Sequence, residues 1–171
     1  MTVKAINWII IIAVSVAITV YIAMGVFGIG VNAAKNSPVQ ISSATIQPIS
    51  VDTTGHVATL NMTVTIKNLG ATTNITAYNA TVTLNGHTYV LYPVKYISKI
   101  HGASTGKVDP TKGIPVAPGD SVTIIYTITS TQGYWLYGNI TTGNVVKVPF
   151  VIQTDSKPLP GNAIWVNQLG S

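Results

Sequence analysis

The chain has 171 residues, no cysteine, nine lysines against four acidic residues and a net charge of +5. Without cysteine there is neither a disulfide framework nor a thiolate metal site, and the lysines are scattered with no arginine for bidentate phosphate contacts, which argues against nucleic-acid binding. Charged residues are only 8% of the chain, against about a quarter in soluble domains, so hydroxyls and amides must solvate the surface, as on an extracellular wall.

The first element is the run INWIIIIAVSVAITVYIAMGVFGIGV at residues 6–31, which carries no charge and no proline. At 1.5 Å per residue such a helix spans roughly 39 Å, more than the ~30 Å of a bilayer's hydrocarbon. It is apolar around its whole circumference, which excludes a water-facing side. A cleaved signal, whose apolar region covers about 7–15 residues, is shorter than this. A permanent membrane anchor and a filament core are physically alike, since both exclude water. The glycines Gly25, Gly28 and Gly30 either allow close helix approach or form a hinge before the next domain.

The stretch IIAVSVAITVYIAMGVFGIGVNAAKNS resembles the N-terminal helix of archaeal type IV pilins and archaellins, and Lys4-Ala5 ahead of Ile6 is similar to their leader junction. The resemblance implies a membrane-inserted precursor, pilus-type assembly machinery and a homopolymer on the cell surface. Residues 1–34 would form a hydrophobic helix in its core, with a β-rich domain outside. The positions expected to pack that core are Ile6, Trp8, Ile9, Ile12, Val16, Ile18, Val20, Ile22, Val26 and Phe27.

After residue 35 the rhythm changes to period two. HVATLNMTVTIKN places Ala58, Leu60, Met62, Val64 and Ile66 on one face and Thr59, Asn61, Thr63 and Thr65 on the other, the pattern of a half-buried strand. The alternation recurs at Ala80, Val82 and Leu84, at Val122, Ile124, Tyr126 and Ile128, and at Val146, Val148, Phe150 and Ile152. Asn85-Gly86 is a hairpin turn signal and Ala117-Pro118-Gly119-Asp120 a turn entering a strand. With weaker runs at 39–49, 87–97, 134–140 and 162–168, the count reaches about seven to nine antiparallel strands. That suits an immunoglobulin-like β-sandwich over residues 35–171, with 101–114 as a long loop and no further helix. VTIKNLG, ATVTLNG and VAPGDSVTIIYTIT together resemble immunoglobulin-like modules of surface and adhesion proteins, which names a fold and not an activity.

Asn-x-Thr sequons at Asn61, Asn74, Asn79 and Asn139 are candidate glycosylation sites, with Asn61 and Asn79 expected on the outer faces of their strands. Catalytic signals are poor. Gly102-Ala103-Ser104-Thr105-Gly106 has the letters of a nucleophile elbow, yet His56, His87 and His101 all precede Ser104, whereas the elbow's histidine follows its serine. Asp52 and His56 are isolated, offer no metal-ligand set, and Asp52 is expected in a turn. No carboxylate pair suits acid–base work. Tyr134, Trp135 and Tyr137, with Tyr89, Tyr92 and Tyr96 elsewhere, would serve a core or a sugar-binding or subunit-packing face.

The expectation is therefore a non-enzymatic structural subunit of an extracellular filament serving adhesion or motility, without a cofactor. A monomeric membrane-anchored binding module and a virion envelope protein share the same layout.

Overall fold

The computed structural model describes residues 39–168. The expected N-terminal helix lies outside the described residues, as do the assembly positions from Ile6 to Phe27 and the glycines Gly25, Gly28 and Gly30. Among the described residues no helix is long and apolar enough to cross a membrane. The strands are β1 (Val39–Asp52), β2 (Val57–Asn68), β3 (Ile75–Leu84), β4 (His87–Ser98), β5 (Gly102–Ala103), β6 (Ile114–Val116), β7 (Ser121–Ser130), β8 (Lys147–Thr154) and β9 (Leu159–Trp165). One helix, α1 (Thr131–Thr142), connects β7 to β8.

These strands form a closed barrel, which corrects the expected sandwich. Hydrogen-bonded neighbours run β4–β7–β2–β1–β9–β8–β3, and β3 pairs back onto β4 from Ala80↔Leu91 to Leu84↔His87, closing a ring of seven. Short β5 extends the edge of β4, and β6 that of β3. The all-antiparallel expectation is corrected as well. A ring with an odd number of strands cannot alternate direction throughout, and the parallel pair falls between the first and last strands, Thr45↔Ile164 and Ile46↔Trp165. Alternating burial is common to sandwiches and barrels, so it does not distinguish them.

What bends the strands into a ring is a set of irregularities that period-two counting does not register. The register shifts in β1 between Ile41 and Ser43 and between Pro48 and Ser50, in β3 between Ala77 and Ala80, and in β4 between Pro93 and Lys95. β4 pairs with β3 over 87–91 and with β7 over 92–98. The interior is filled by the alternating residues read from the sequence. Leu60, Met62 and Ile66 of β2 and Ile124 and Tyr126 of β7 are fully buried, together with Ile46 and Leu91. Burial pushes the Tyr126 phenol pKa up, and its hydroxyl donates to the Tyr78 carbonyl at 2.8 Å.

Helix α1 replaces the strand expected over 134–140. Its aromatic and β-branched content suggests strand, but Ser130 caps the start, its Oγ accepting from the N–H groups of Gln132 and Gly133 at 3.1 and 3.3 Å. The buried residues Gly133, Leu136 and Ile140 form one stripe at helical spacing. Gly133 lets the helix sit against the barrel, since a Cβ there would stand 2.4 Å from the Ala58 carbonyl oxygen. Asn144, at φ 50, ends the element in the left-handed region.

The helix, the β1–β2 turn and the Asn85-Gly86 turn share one end of the barrel. The other end carries Val39, where residues 1–38 join, and a buried polar cluster. There Asn68 Nδ2 donates to the carbonyls of Thr73 and Val116 at 2.8 and 3.0 Å, and Asn68 N–H donates to the Asp120 carbonyl at 3.0 Å. The Asp120 carboxylate accepts from Ser98 Oγ at 2.5 Å, Ile100 N–H at 3.1 Å and Ser121 N–H at 2.8 Å. The expected loop over 101–114 begins at this end; it contains β5 and seats Val108 in the core.

Candidate functional site

The four acidic side chains of the chain are committed to backbone. Asp52 Oδ1 accepts from the N–H groups of Thr54 and Gly55, both at 3.0 Å, in the turn expected for it. Asp155 Oδ1 accepts from Thr76 N–H at 3.0 Å. Asp109 Oδ1 accepts from the hydroxyl and N–H of Thr111 at 2.7 and 2.9 Å, bonds that hold its carboxyl below the ordinary range. Burial pushes the Asp120 pKa up, but donors from Ser98, Ile100 and Ser121 outweigh it and leave the carboxyl below the usual value. Among the described residues no group of three or more histidine, cysteine or acidic side chains comes together.

The Gly102–Gly106 motif is an edge segment. Ser104 N–H donates to the Tyr96 carbonyl at 2.9 Å and Ser104 Oγ accepts from Tyr96 N–H at 3.2 Å, so its backbone continues the β4–β5 edge with no helix following it. His56 is far from it in the fold, in the β1–β2 turn, with its ring 5.1 Å from that of Tyr134.

The arrangement with most chemical potential is a groove at the helix end, with a volume of about 490 Å³. His87, Thr88 and Tyr89 at the start of β4 form one wall, and Gln132, Trp135 and Asn139 of α1 form the other. Trp135 is 54% exposed although it occupies the middle of a packed helix. Tyr89 is buried, and its hydroxyl accepts from Asn139 Nδ2 at 2.7 Å. No lysine or acidic residue lines the groove.

The aromatic residues grouped by sequence are thus divided by the fold. Tyr89, Tyr134 and Trp135 line the groove, the Tyr134 ring also lying tilted 5.1 Å from that of His56, while Tyr137 lies 6.0 Å from Trp165. Tyr92 is exposed on β4, and Tyr96 packs against the core. Gln132, His87 and Thr88 carried no sequence signal as partners, since only the pairing of β3 with β4 and the unforeseen helix bring them together.

The sequons occupy different settings. Asn74 is exposed in the loop between β2 and β3. Asn61 lies half-buried in a central strand, opposite Gln47 on one side and Thr127 on the other. Asn79 sits at the β3 irregularity with Oδ1 buried and without a hydrogen-bond partner. Asn139 is helical, with its amide nitrogen already engaged by Tyr89.

No protein-family model matches the sequence, and no curated protein matches it. Among solved structures, the X-ray structure of Northeast Structural Genomics Consortium target SoR45 is similar at 10% identity and a TM-score of 0.37, over 74% of this chain and 81% of that chain. A likeness of that degree says nothing about function.

Proposed function

We propose that the chain is a structural subunit of an extracellular filament, joined to its neighbours through residues 6–31 and displaying the barrel outward. The observation that carries this reading is the pairing of a self-sufficient barrel with an uncharged apolar segment. The interior is filled by side chains from residues 39–168 themselves, while the 26 residues at 6–31 need cover from water. Equivalent segments of other copies supply such cover, and burying on the order of 1,000 Å² of apolar surface contributes about 25 kcal/mol gross.

Two features of the barrel support the same reading. Its wall is solvated by hydroxyls rather than charge, with cross-strand pairs such as Thr59 with Thr129 and Thr65 with Thr123 bonded through their side chains at 3.0 and 2.8 Å. The end where residues 1–38 join exposes Leu69, Ile97 and Ile100, apolar surface suited to contact within an assembly.

The test is substitution inside the apolar segment. Val16→Asp or Ile18→Asp places a carboxylate where water is excluded, a cost of several kcal/mol without a partner. Loss of sedimentable polymer is expected, with the barrel's thermal unfolding midpoint unchanged. Polymer formed by both variants at the wild-type yield would overturn the proposal.

A further inference from the structure

We infer that the groove between β4 and α1 binds a neutral saccharide. It has the size of ligand-holding clefts, which run from about 300 to 1,000 Å³, and its composition fits polyhydroxylated ligands. An aromatic ring presents a negative π face on which the weakly positive C–H groups of a pyranose can stack, and Trp135 offers such a ring, 54% exposed.

Around that ring stand hydrogen-bonding groups with capacity left over. Asn139 Nδ2 bonds Tyr89 Oη, leaving Asn139 Oδ1 as an acceptor and the tyrosine proton as a donor. The Gln132 side-chain amide, the Trp135 indole N–H and the His87 ring make no hydrogen bond to another group among the described residues. Hydroxyl-bearing ligands pair with such a mixture of donors and acceptors. An anionic or cationic ligand finds no opposite charge there, because neither lysine nor acid lines the groove.

The position of the groove favours contact with external ligands. It lies at the helix end of the barrel, opposite Val39. The 12 residues of β2 span roughly 36 Å at ~3.3 Å per residue, or about 28 Å along the axis after strand tilt. The groove thus stands at the end of the barrel far from Val39. The inference concerns a single chain and holds whether or not the chain polymerises.

The test is binding by the full chain, dispersed in mild detergent, to an immobilised panel of neutral glucose-, mannose-, galactose- and N-acetylhexosamine-based oligosaccharides, with sulfated and sialylated counterparts. Retention on at least one neutral glycan is expected. Trp135→Ala should weaken it tenfold or more without shifting the thermal midpoint, and Trp135→Phe should restore part of it. Retention should be the same in 50 and 500 mM salt, since no charge pair is involved. The inference is overturned if no neutral glycan is retained, if Trp135→Ala binds as wild type does, or if binding is confined to anionic glycans. It is equally overturned if Trp135→Ala abolishes association between copies and leaves glycan retention unaltered, which would make the groove a contact between subunits.

Discussion

Asp120 offers the sharpest test of how the entry end of the barrel is held. The residue is 1% exposed, and its carboxylate collects Ser98 Oγ, Ile100 N–H and Ser121 N–H from two different segments of the chain. Hydrogen bonds to a charged group contribute about 1.5–3 kcal/mol each, and orphaned buried donors cost about 1–3 kcal/mol apiece. After allowance for the carboxylate's own desolvation and for water reaching the loop, Asp120→Ala should cost about 3 kcal/mol. Asp120→Asn keeps one acceptor oxygen but turns an amide toward donors, and should cost about 2 kcal/mol. The pH dependence has a definite sign. Burial raises the carboxyl's pKa, the surrounding donors lower it further than burial raises it, and the folded value ends below the ordinary one. The stabilisation is therefore complete above the unfolded value of about 3.9 and is lost as pH falls through the lower folded value. Urea unfolding followed by fluorescence, at pH 7 and at pH 2.5, reads both effects. The gap between wild type and Asp120→Ala should narrow at the acidic pH. A cost below about 1 kcal/mol at pH 7, or an equal gap at both pH values, would refute the reasoning.

Other outcomes follow from the core and the surface. Gly133→Ala drives a methyl group toward the Ala58 carbonyl and should cost about 2–3 kcal/mol as overpacking, visible as a lower denaturation midpoint, whereas Gly138→Ala, with nothing within 4 Å of its Cβ position, should be neutral or stabilising. The raised Tyr126 phenol favours the folded state only while protonated, so stability should decline as pH rises above about 10, and Tyr126→Phe should flatten that decline at a cost of about 1 kcal/mol at pH 7 from the lost bond to the Tyr78 carbonyl. In material from the producing cells, peptide mass mapping should find glycan at Asn74, which is exposed in a loop, and unmodified Asn139, whose amide is held by Tyr89.

The legible part of the fold was the part written in local period. The buried sides of β2, β7 and β8 follow the alternation, and Asn85 and Gly86 occupy φ 53 and 80 as a tight hairpin turn requires. Closure was not legible, because it depends on which distant strands pair and on register shifts at Ile41, Pro48, Ala77 and Pro93 that a two-residue pattern does not encode. Helix α1 is not legible from composition because Tyr134, Trp135, Tyr137 and Ile140 favour strand by type, while its signals are the Ser130 cap and the Gly133, Leu136, Ile140 spacing. Tertiary packing overrides such propensities. The groove is half legible, since Tyr89, Tyr134 and Trp135 are among the aromatics grouped by sequence, but His87, Gln132 and Asn139 reach it only through strand pairing and the helix. Buried Asn68 and Asp120 gave no sign either, for a polar residue in a turn looks alike whether it faces water or ties loops together.

The most direct test of the filament proposal is negative-stain electron microscopy of material sheared from the surface of producing cells, with N-terminal sequencing and mass of the recovered chain. Thin fibres are expected, built of a subunit that retains residues 6–31 and carries mass in excess of the polypeptide. Recovery of the chain only as dispersed protein, without fibres, or as a fragment lacking residues 6–31, would contradict the proposed assembly.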